Sequence, residues 1–580
     1  MRTLTAATVA LLLGTATPIG QSTPPAQNSR PSNVDWGVPA PSGVVVSATE
    51  VSSDIGAEIL ARGGNAVDAA VATAFALAVT HPTAGNIGGG GFMVVRTPDG
   101  KATTFDYRER APLKSTATMY LNQKGEIDRS LTAAGYLAPG VPGTVRGMAL
   151  AHQRFGKLPW RDVVQPAVEI ASRGFLLPSS TARSLNTEVR GAMSRFPASV
   201  DAYGRPGGGQ WIEGERITQP DLARTLNAIS EDPDAFYTGW IADRIAADMT
   251  SNGGLISRED LAAYKAVERA PVRGTFLGYE IIGMPPPSSG GTAIIEALNI
   301  LEALGIEKTT RGSAESLHFV AEAMRRAFLD RARYLGDPDF VQVPVARLTS
   351  KAHARELIKS VSPVKASSSA ELGKDIVSVT LAGESEETTH FSVIDKDGMA
   401  VSNTYTLEGG YGSHVVIKGT GILLNNEMGD FNKKPGTTNL TGDIGTPPNL
   451  IVPGKRMLSS MTPVIVTKAG KVVLVTGSPG GRTIINTSLN VVLNVTAWNM
   501  TGREAVDAAR SDHEWMPDRF NLEADAVSED ILAKLRAMGH TVRQSGRQGA
   551  AHSIWIQPGT GMVYGVNDKR DSTSKASAGR

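Results

Sequence analysis

The 580-residue chain contains no cysteine. That single absence removes disulfides, thiolate metal sites and cysteine nucleophiles together. Histidine is scarce: nine residues, scattered, with no His-Glu-x-x-His spacing, so the sequence lends no support to a histidine-held metal site. A Gly-x-Ser-x-Gly elbow and internal repeats are also missing. No one sign of charge dominates, since 58 Lys+Arg against 57 Asp+Glu leave a net charge of +1. The overall balance therefore gives no argument for nucleic acid or an anionic membrane as partner. Nor is there a long uninterrupted apolar run. The most apolar helical stretch, near 66–80, carries Asp68 and is followed by Pro82, which leaves it too short to span a bilayer.

With 41% hydrophobic and 20% charged residues, the chain has ordinary globular make-up and enough length for a large core. At the N-terminus, Arg2, an apolar segment from Leu4 to Leu13 and small residues through Ala16 and Gly20 match a secretory signal. A signal at 1–22 and a Pro/Ser/Gln-rich linker at 23–34 are expected, with the cut between Ala16 and Gln27. Without a cysteine there is no lipid anchor, so an exported periplasmic or extracellular protein without membrane anchor is expected.

Residues 51–82 read as two consecutive helices broken at Gly63-Gly64, the second buried. Four glycines at 88–91 lead into strands. A phosphate cradle follows a strand and opens a helix, so this order points to close backbone approach instead. Helical spacing with repeated breaks fills 145–270, then a strand, a Pro/Ser/Gly turn and a helix cover 279–304, and a further helix starts near 316. Beyond 388 the character changes to strands: "TTHFSVID", "AVSNTYTL", "GILLNNEM", "MTPVIVT" and "KVVLVTG".

Just before this change, residues 361–387 have the composition of a linker and end in an acidic run. Such an interval is either a domain boundary or a peptide bond placed to be cut. The chain offers hydroxyls as its nucleophiles and shows no evident His/Asp arrangement to activate one. Cleavage between Glu387 and Thr388 would place a hydroxyl and a free amine, of pKa about 7.7–8.0, on the same residue. That pairing is a known form of activated nucleophile.

Two further stretches suit amide cleavage. Gly477 to Gly481 lie between a strand and a helix, where free backbone N–H groups can hold an oxyanion or simply make a turn. Arg108, Glu427, Asp430, Ser459 and Ser460 flank apolar strand-like runs, and one cation with two carboxylates is what a zwitterionic amino-acid head group requires.

"NIGGGGFM", "DYRERAP", "PPPSSGGT", "ETTHFSV", "LLNNEMGDF", "LSSMTP" and "GSPGGR" together resemble, in order and spacing, the γ-glutamyltransferase family of N-terminal-nucleophile hydrolases, also called glutathione hydrolases. The resemblance runs from about 35 to 570. It implies an α+β fold, a four-layer αββα sandwich, cut between Glu387 and Thr388 into a large subunit (35–387) and a small subunit (388–580) that build one fold. It further implies Thr388 as agent of the cut and catalytic nucleophile, and Thr406 as a hydroxyl that supports its amino end. Arg108 with Ser459 and Ser460 would hold the donor α-carboxylate, Glu427 and Asp430 its α-amino group, and Gly480 and Gly481 the oxyanion. The substrates implied are glutathione and related γ-glutamyl compounds, with water, amino acids or dipeptides as acceptors, and neither metal nor organic cofactor. Two departures stand out. Glu408 occupies a position where many members have Asn, and the loop after Asp430 lacks the lid tyrosine of some bacterial members, Thr441 falling near that place. A glutaryl- or cephalosporin-type acylase of the same family, and an exported amino-acid-binding protein that never cleaves itself, are the alternatives.

Overall fold

The computed structural model describes residues 35–376, 388–440, 442–524 and 526–579. The expected signal and linker, Glu387 and Thr441 lie outside the described residues. Two seven-stranded sheets dominate Trp36–Arg580. In the first, the order is Lys575–Ala578, Gly43–Ser47, Thr389–Asp395, Ala400–Thr406, Gly90–Arg96, Ala102–Asp106 and Val267–Arg269, every pairing antiparallel. In the second it is Val38–Pro39, Val563–Val566, Ser553–Ile556, Lys471–Thr476, Val464–Lys468, Tyr279–Gly283 and Val272–Phe276, again antiparallel.

The period-2 rule explains how the layers stack, because successive side chains leave opposite faces of a strand. Val44 and Val46 join Phe92, Val94, Ile282, Ile465 and Ile554 in a core between the two sheets. Val45, Met93, Val95, Phe391 and Val393 point the other way, into a core shared with the helix Ala66–Thr80. On the far side, Ile281, Val464, Val466 and Leu474 meet the helices Gly290–Ala303, Ala314–Tyr334 and Thr483–Thr496. Both sheets are thus covered on both faces, which gives the expected αββα sandwich. It also explains why all seven residues of Thr389–Asp395 are buried.

The helix pair at 50–80 forms as its sequence predicts. Gly63, at φ 89°, ends the turn after Glu50–Ala61, and Asn65 caps the second helix by accepting from Val67 N and Asp68 N. Asp68, the lone charge in that apolar helix, completes the capping box by accepting from Asn65 N at 2.9 Å. It also accepts from the backbone of Lys157 and Leu158. "GILLNNEM" does not form the expected strand. Leu423 and Leu424 make only isolated bridges, and Glu427–Asp430 is a single 3-10 turn. The cause is Asn425, whose side chain takes over the pairing: its amide donates to Gly88 O and Gly140 O and its carbonyl accepts from Gly140 N and Glu427 N.

Candidate active site

The register of the first sheet places the proposed nucleophile. Thr389 lies opposite Tyr405, and one step further along the antiparallel pair sets Thr388 opposite Thr406. Both threonines are buried, and the Thr406 hydroxyl accepts from Glu408 N at 2.8 Å. The glycine run supports this end of the sheet. A Cβ on Gly89 would lie 2.1 Å from Thr406 O, and one on Gly91 would lie 2.5 Å from Thr404 O, so only glycine allows these strands their approach. His390, two residues from Thr388, is spoken for: its ring nitrogens bond Thr404 Oγ1 at 2.8 Å and Ser392 Oγ at 3.1 Å. Burial holds it well below the usual imidazole range, so it stays neutral inside the sheet.

Thr388 opens onto a cleft that Arg108, Thr406, Glu408, Glu427, Asp430, Ser459, Ser460 and Gly481 also line. Gly480 lines a second cavity on the other side of Thr388 and Thr389. Every expected site residue among the described ones therefore borders a space that Thr388 borders.

Arg108 is fully buried. Its backbone is fixed by Asp106, which accepts from Arg108 N at 3.0 Å, and by Tyr264 OH, which donates to Arg108 O at 2.9 Å. The guanidinium forms ion pairs with Glu427 and Asp430, and lies 3.4 Å from Glu109. Burial alone would lower its pKa; the surrounding carboxylates reverse this and raise it. Glu109, Glu427 and Asp430 surround this guanidinium, and Glu408 stands near Glu427. Burial first and the neighbouring carboxylates second push Glu427 well above the usual carboxylate range, with Arg108 opposing, and burial likewise lifts Glu109 to about 7.

Glu427 and Asp430 share the single turn that the Asn425 bonds hold in place, and Asn449 donates to Asp430 O at 2.7 Å. Glu408 sits at φ 77°, a left-handed conformation that a glutamate rarely adopts. Its carboxylate lies against Gly429, where a Cβ would come within 2.5 Å of Oε1. Ser459 and Ser460 are braced by the Pro/Ser/Gly turn: Ser289 N and Oγ both donate to Ser459 O, and Arg331 donates to Ser289 Oγ at 2.9 Å and to Ser460 Oγ at 3.0 Å. Gly480 and Gly481 take φ 129° and 54°, ahead of the helix Thr483–Thr496. Among the described residues, neither of their N–H groups donates to a protein acceptor, so both remain available to a ligand oxygen.

Sequence reasoning missed Glu109, Arg331, Asn425 and Asn449. Glu109 was readable as the neighbour of Arg108 in "DYRERAP", and Asn425 as part of "LLNNEM". Arg331 gives no local signal, because it reads as an ordinary basic residue in the last turn of a helix. Lys433, Lys434, Thr437 and Asp443 also line the cleft, and Arg129 pairs with Asp443.

Comparison with known proteins shows the family. A family model described as Gamma-glutamyltranspeptidase matches residues 52–578. The chain is 44% identical over 548 residues to "Glutathione hydrolase proenzyme" of Escherichia coli strain K12, covering 94% of this chain and 93% of that one. Among solved structures, a cephalosporin acylase from Bacillus halodurans superposes with a TM-score of 0.81 at 27% identity, over 96% of this chain and 99% of that one. The Helicobacter pylori gamma-glutamyltranspeptidase gives a TM-score of 0.55 at 41% identity, over 58% of this chain and 95% of that one. The chain belongs to the gamma-glutamyltranspeptidase family.

Proposed function

We propose that Thr388 is the nucleophile with which this γ-glutamyltransferase and glutathione hydrolase first cuts its own chain and then cleaves γ-glutamyl amides. The observation that carries the reading is one cleft holding Thr388, a buried guanidinium and three carboxylates, with two unused glycine N–H groups bordering the nucleophile.

In the precursor, the Thr388 hydroxyl attacks the carbonyl carbon of Glu387, and the amide nitrogen of Thr388 leaves as it takes up the proton. Water hydrolyses the resulting ester, which frees the Glu387 carboxylate and leaves Thr388 with both hydroxyl and amine. In turnover the amine accepts the hydroxyl proton while Oγ attacks the γ-amide carbonyl, then passes that proton to the departing amine. The Gly480 and Gly481 N–H groups receive the oxyanion, each worth roughly 2.7–4 kcal/mol. Water, or an amino acid or dipeptide, then resolves the γ-glutamyl ester.

The donor head group completes the charge balance. Its α-carboxylate takes Arg108 and the Ser459 and Ser460 hydroxyls, while its ammonium enters among the carboxyl groups of Glu408, Glu427 and Asp430. Arg108 thus exchanges its protein carboxylates for the substrate's at little electrostatic cost. Thr406 supports the Thr388 amino end. The cut divides the chain into 35–387 and 388–580, after export has removed residues 1–22 to a periplasmic or extracellular location. Among the described residues, no helix is long and apolar enough to cross a membrane.

The likeness to a cephalosporin acylase favours a second reading, hydrolysis of glutaryl-type amides, which lack the ammonium. Three carboxylates at one end of the cleft argue against it. Comparing kcat/KM for γ-glutamyl and glutaryl p-nitroanilides separates the two. A γ-glutamyl preference of at least about a hundredfold, or ~2.7 kcal/mol, is expected, and a glutaryl preference would overturn the reading.

A further inference from the structure

Outside the cleft, the described residues bring together two clusters of imidazole and carboxylate groups that no sequence spacing revealed: His318, Glu322 and His540, and Glu296, Asp330 and His353. The first is already satisfied. Glu322 is paired with both Arg325 and Arg326 and accepts from Ser367, so two guanidiniums occupy the place of a cation.

The second differs. Glu296 and Asp330 are 1% and 3% exposed, on the facing helices Gly290–Ala303 and Ala314–Tyr334, and His353 comes from the short helix Lys351–Leu357. His353 Nε2 lies 2.7 Å from Asp330 Oδ2 and 3.7 Å from Glu296 Oε1. Glu296 Oε1 is buried, has no hydrogen-bond partner and faces that imidazole. On the same stripe of the helix, Thr292 Oγ1 and Asn299 Oδ1 are also buried without partners. Two cations stand nearby: Arg333 pairs with Asp375 and, at 3.7 Å, with the other Asp330 oxygen, and Arg347 lies over the Tyr334 ring within electrostatic reach of Glu296 and Asp330.

We propose that Glu296, Asp330 and His353 form a binding site for a first-row divalent metal ion, with zinc the best fit. Metal–ligand bonds of about 2.0–2.2 Å place neighbouring donor atoms roughly 2.8–3.6 Å apart, and the observed separations straddle that range. One imidazole with two carboxylates suits Zn²⁺, Co²⁺ or Mn²⁺, whereas Mg²⁺ and Ca²⁺ favour all-oxygen sets. The ion would tie the 351–357 helix to the two core helices. It would sit one residue from Arg331, which holds Ser289 and Ser460, and so would brace the floor of the cleft from behind.

The test uses tag-free full-length protein, stripped with chelator and titrated with Zn²⁺ by calorimetry and with Co²⁺ by visible absorption. The wild type is expected to bind one ion per chain and to melt at a higher temperature when loaded. Glu296→Gln and His353→Ala should each bind at least about tenfold more weakly, with the Co²⁺ spectrum altered, while His540→Ala should match the wild type. His353, at the solvent edge, keeps the test valid should the Glu296 variant fail to fold. Absence of stoichiometric binding in the wild type, or undiminished binding in the His353 variant, would overturn the assignment.

Discussion

Glu408 stands where the sequence resemblance leads to the expectation of asparagine. It adds a third carboxylate to the end of the cleft proposed to take the ammonium, on a left-handed backbone. Asparagine tolerates that conformation better. Glu408→Asn is therefore expected to fold at least as stably, while its preference for γ-glutamyl over glutaryl anilides falls about tenfold, or ~1.4 kcal/mol. Steady-state kinetics with the two donors checks this.

Glu109 allows a second prediction at this scale. Burial, opposed by Arg108, lifts its carboxyl to about 7, against an ordinary value of 4.5. Between those values the folded chain keeps a proton that the unfolded chain has released. The group's contribution to stability is present below pH 4.5 and is lost as pH rises towards 7. Glu109→Gln should thus melt with the wild type at about pH 5 and be the more stable of the two at about pH 8, by on the order of 2 kcal/mol. Thermal melts across that range give the answer, and a variant less stable at the alkaline end would show that Arg108 depends on an ionised Glu109.

At the scale of elements, the capping box at Asn65 and Asp68 fixes where the buried helix Ala66–Thr80 begins. Asn65→Ala removes two accepted N–H bonds and is expected to cost about 1 kcal/mol in denaturant unfolding. This helix was legible because its apolar spacing and its Gly63-Gly64 break are local features. The strands on either side of Thr388 were legible for the same reason, since alternation along 389–395 and 400–406 translates directly into two buried faces. Ile422 to Met428 misled because its apolar residues suggest a strand, whereas Asn425 satisfies backbone groups from two other segments that sequence cannot show to be near. The residues proposed to take the head group were picked out through motifs. Arg331 and Asn449, which brace them, were not, because their effect exists only after helix 314–334 and the 447–449 turn meet the Ser459–Ser460 stretch.

At the scale of the molecule, the proposed cut does not separate two bodies. Each sheet combines strands from both sides of residue 388: Gly43–Ser47 lies between Lys575–Ala578 and Thr389–Asp395, and Val464–Lys468 pairs with Tyr279–Gly283. Hydrogen-bonded ladders and the core between the sheets would hold the two pieces together once the bond is broken. The proposed cut would free the Glu387 carboxylate and convert the amide nitrogen of Thr388 into a base.

That conversion is the centre of the account, and intact mass with N-terminal sequencing of purified wild type beside Thr388→Ala tests it most directly. Two co-purifying chains are expected in the wild type, the smaller beginning Thr-Thr-His-Phe, and one uncut chain in the variant. A wild type that stays a single chain under folding conditions, yet turns over γ-glutamyl anilide, would contradict it.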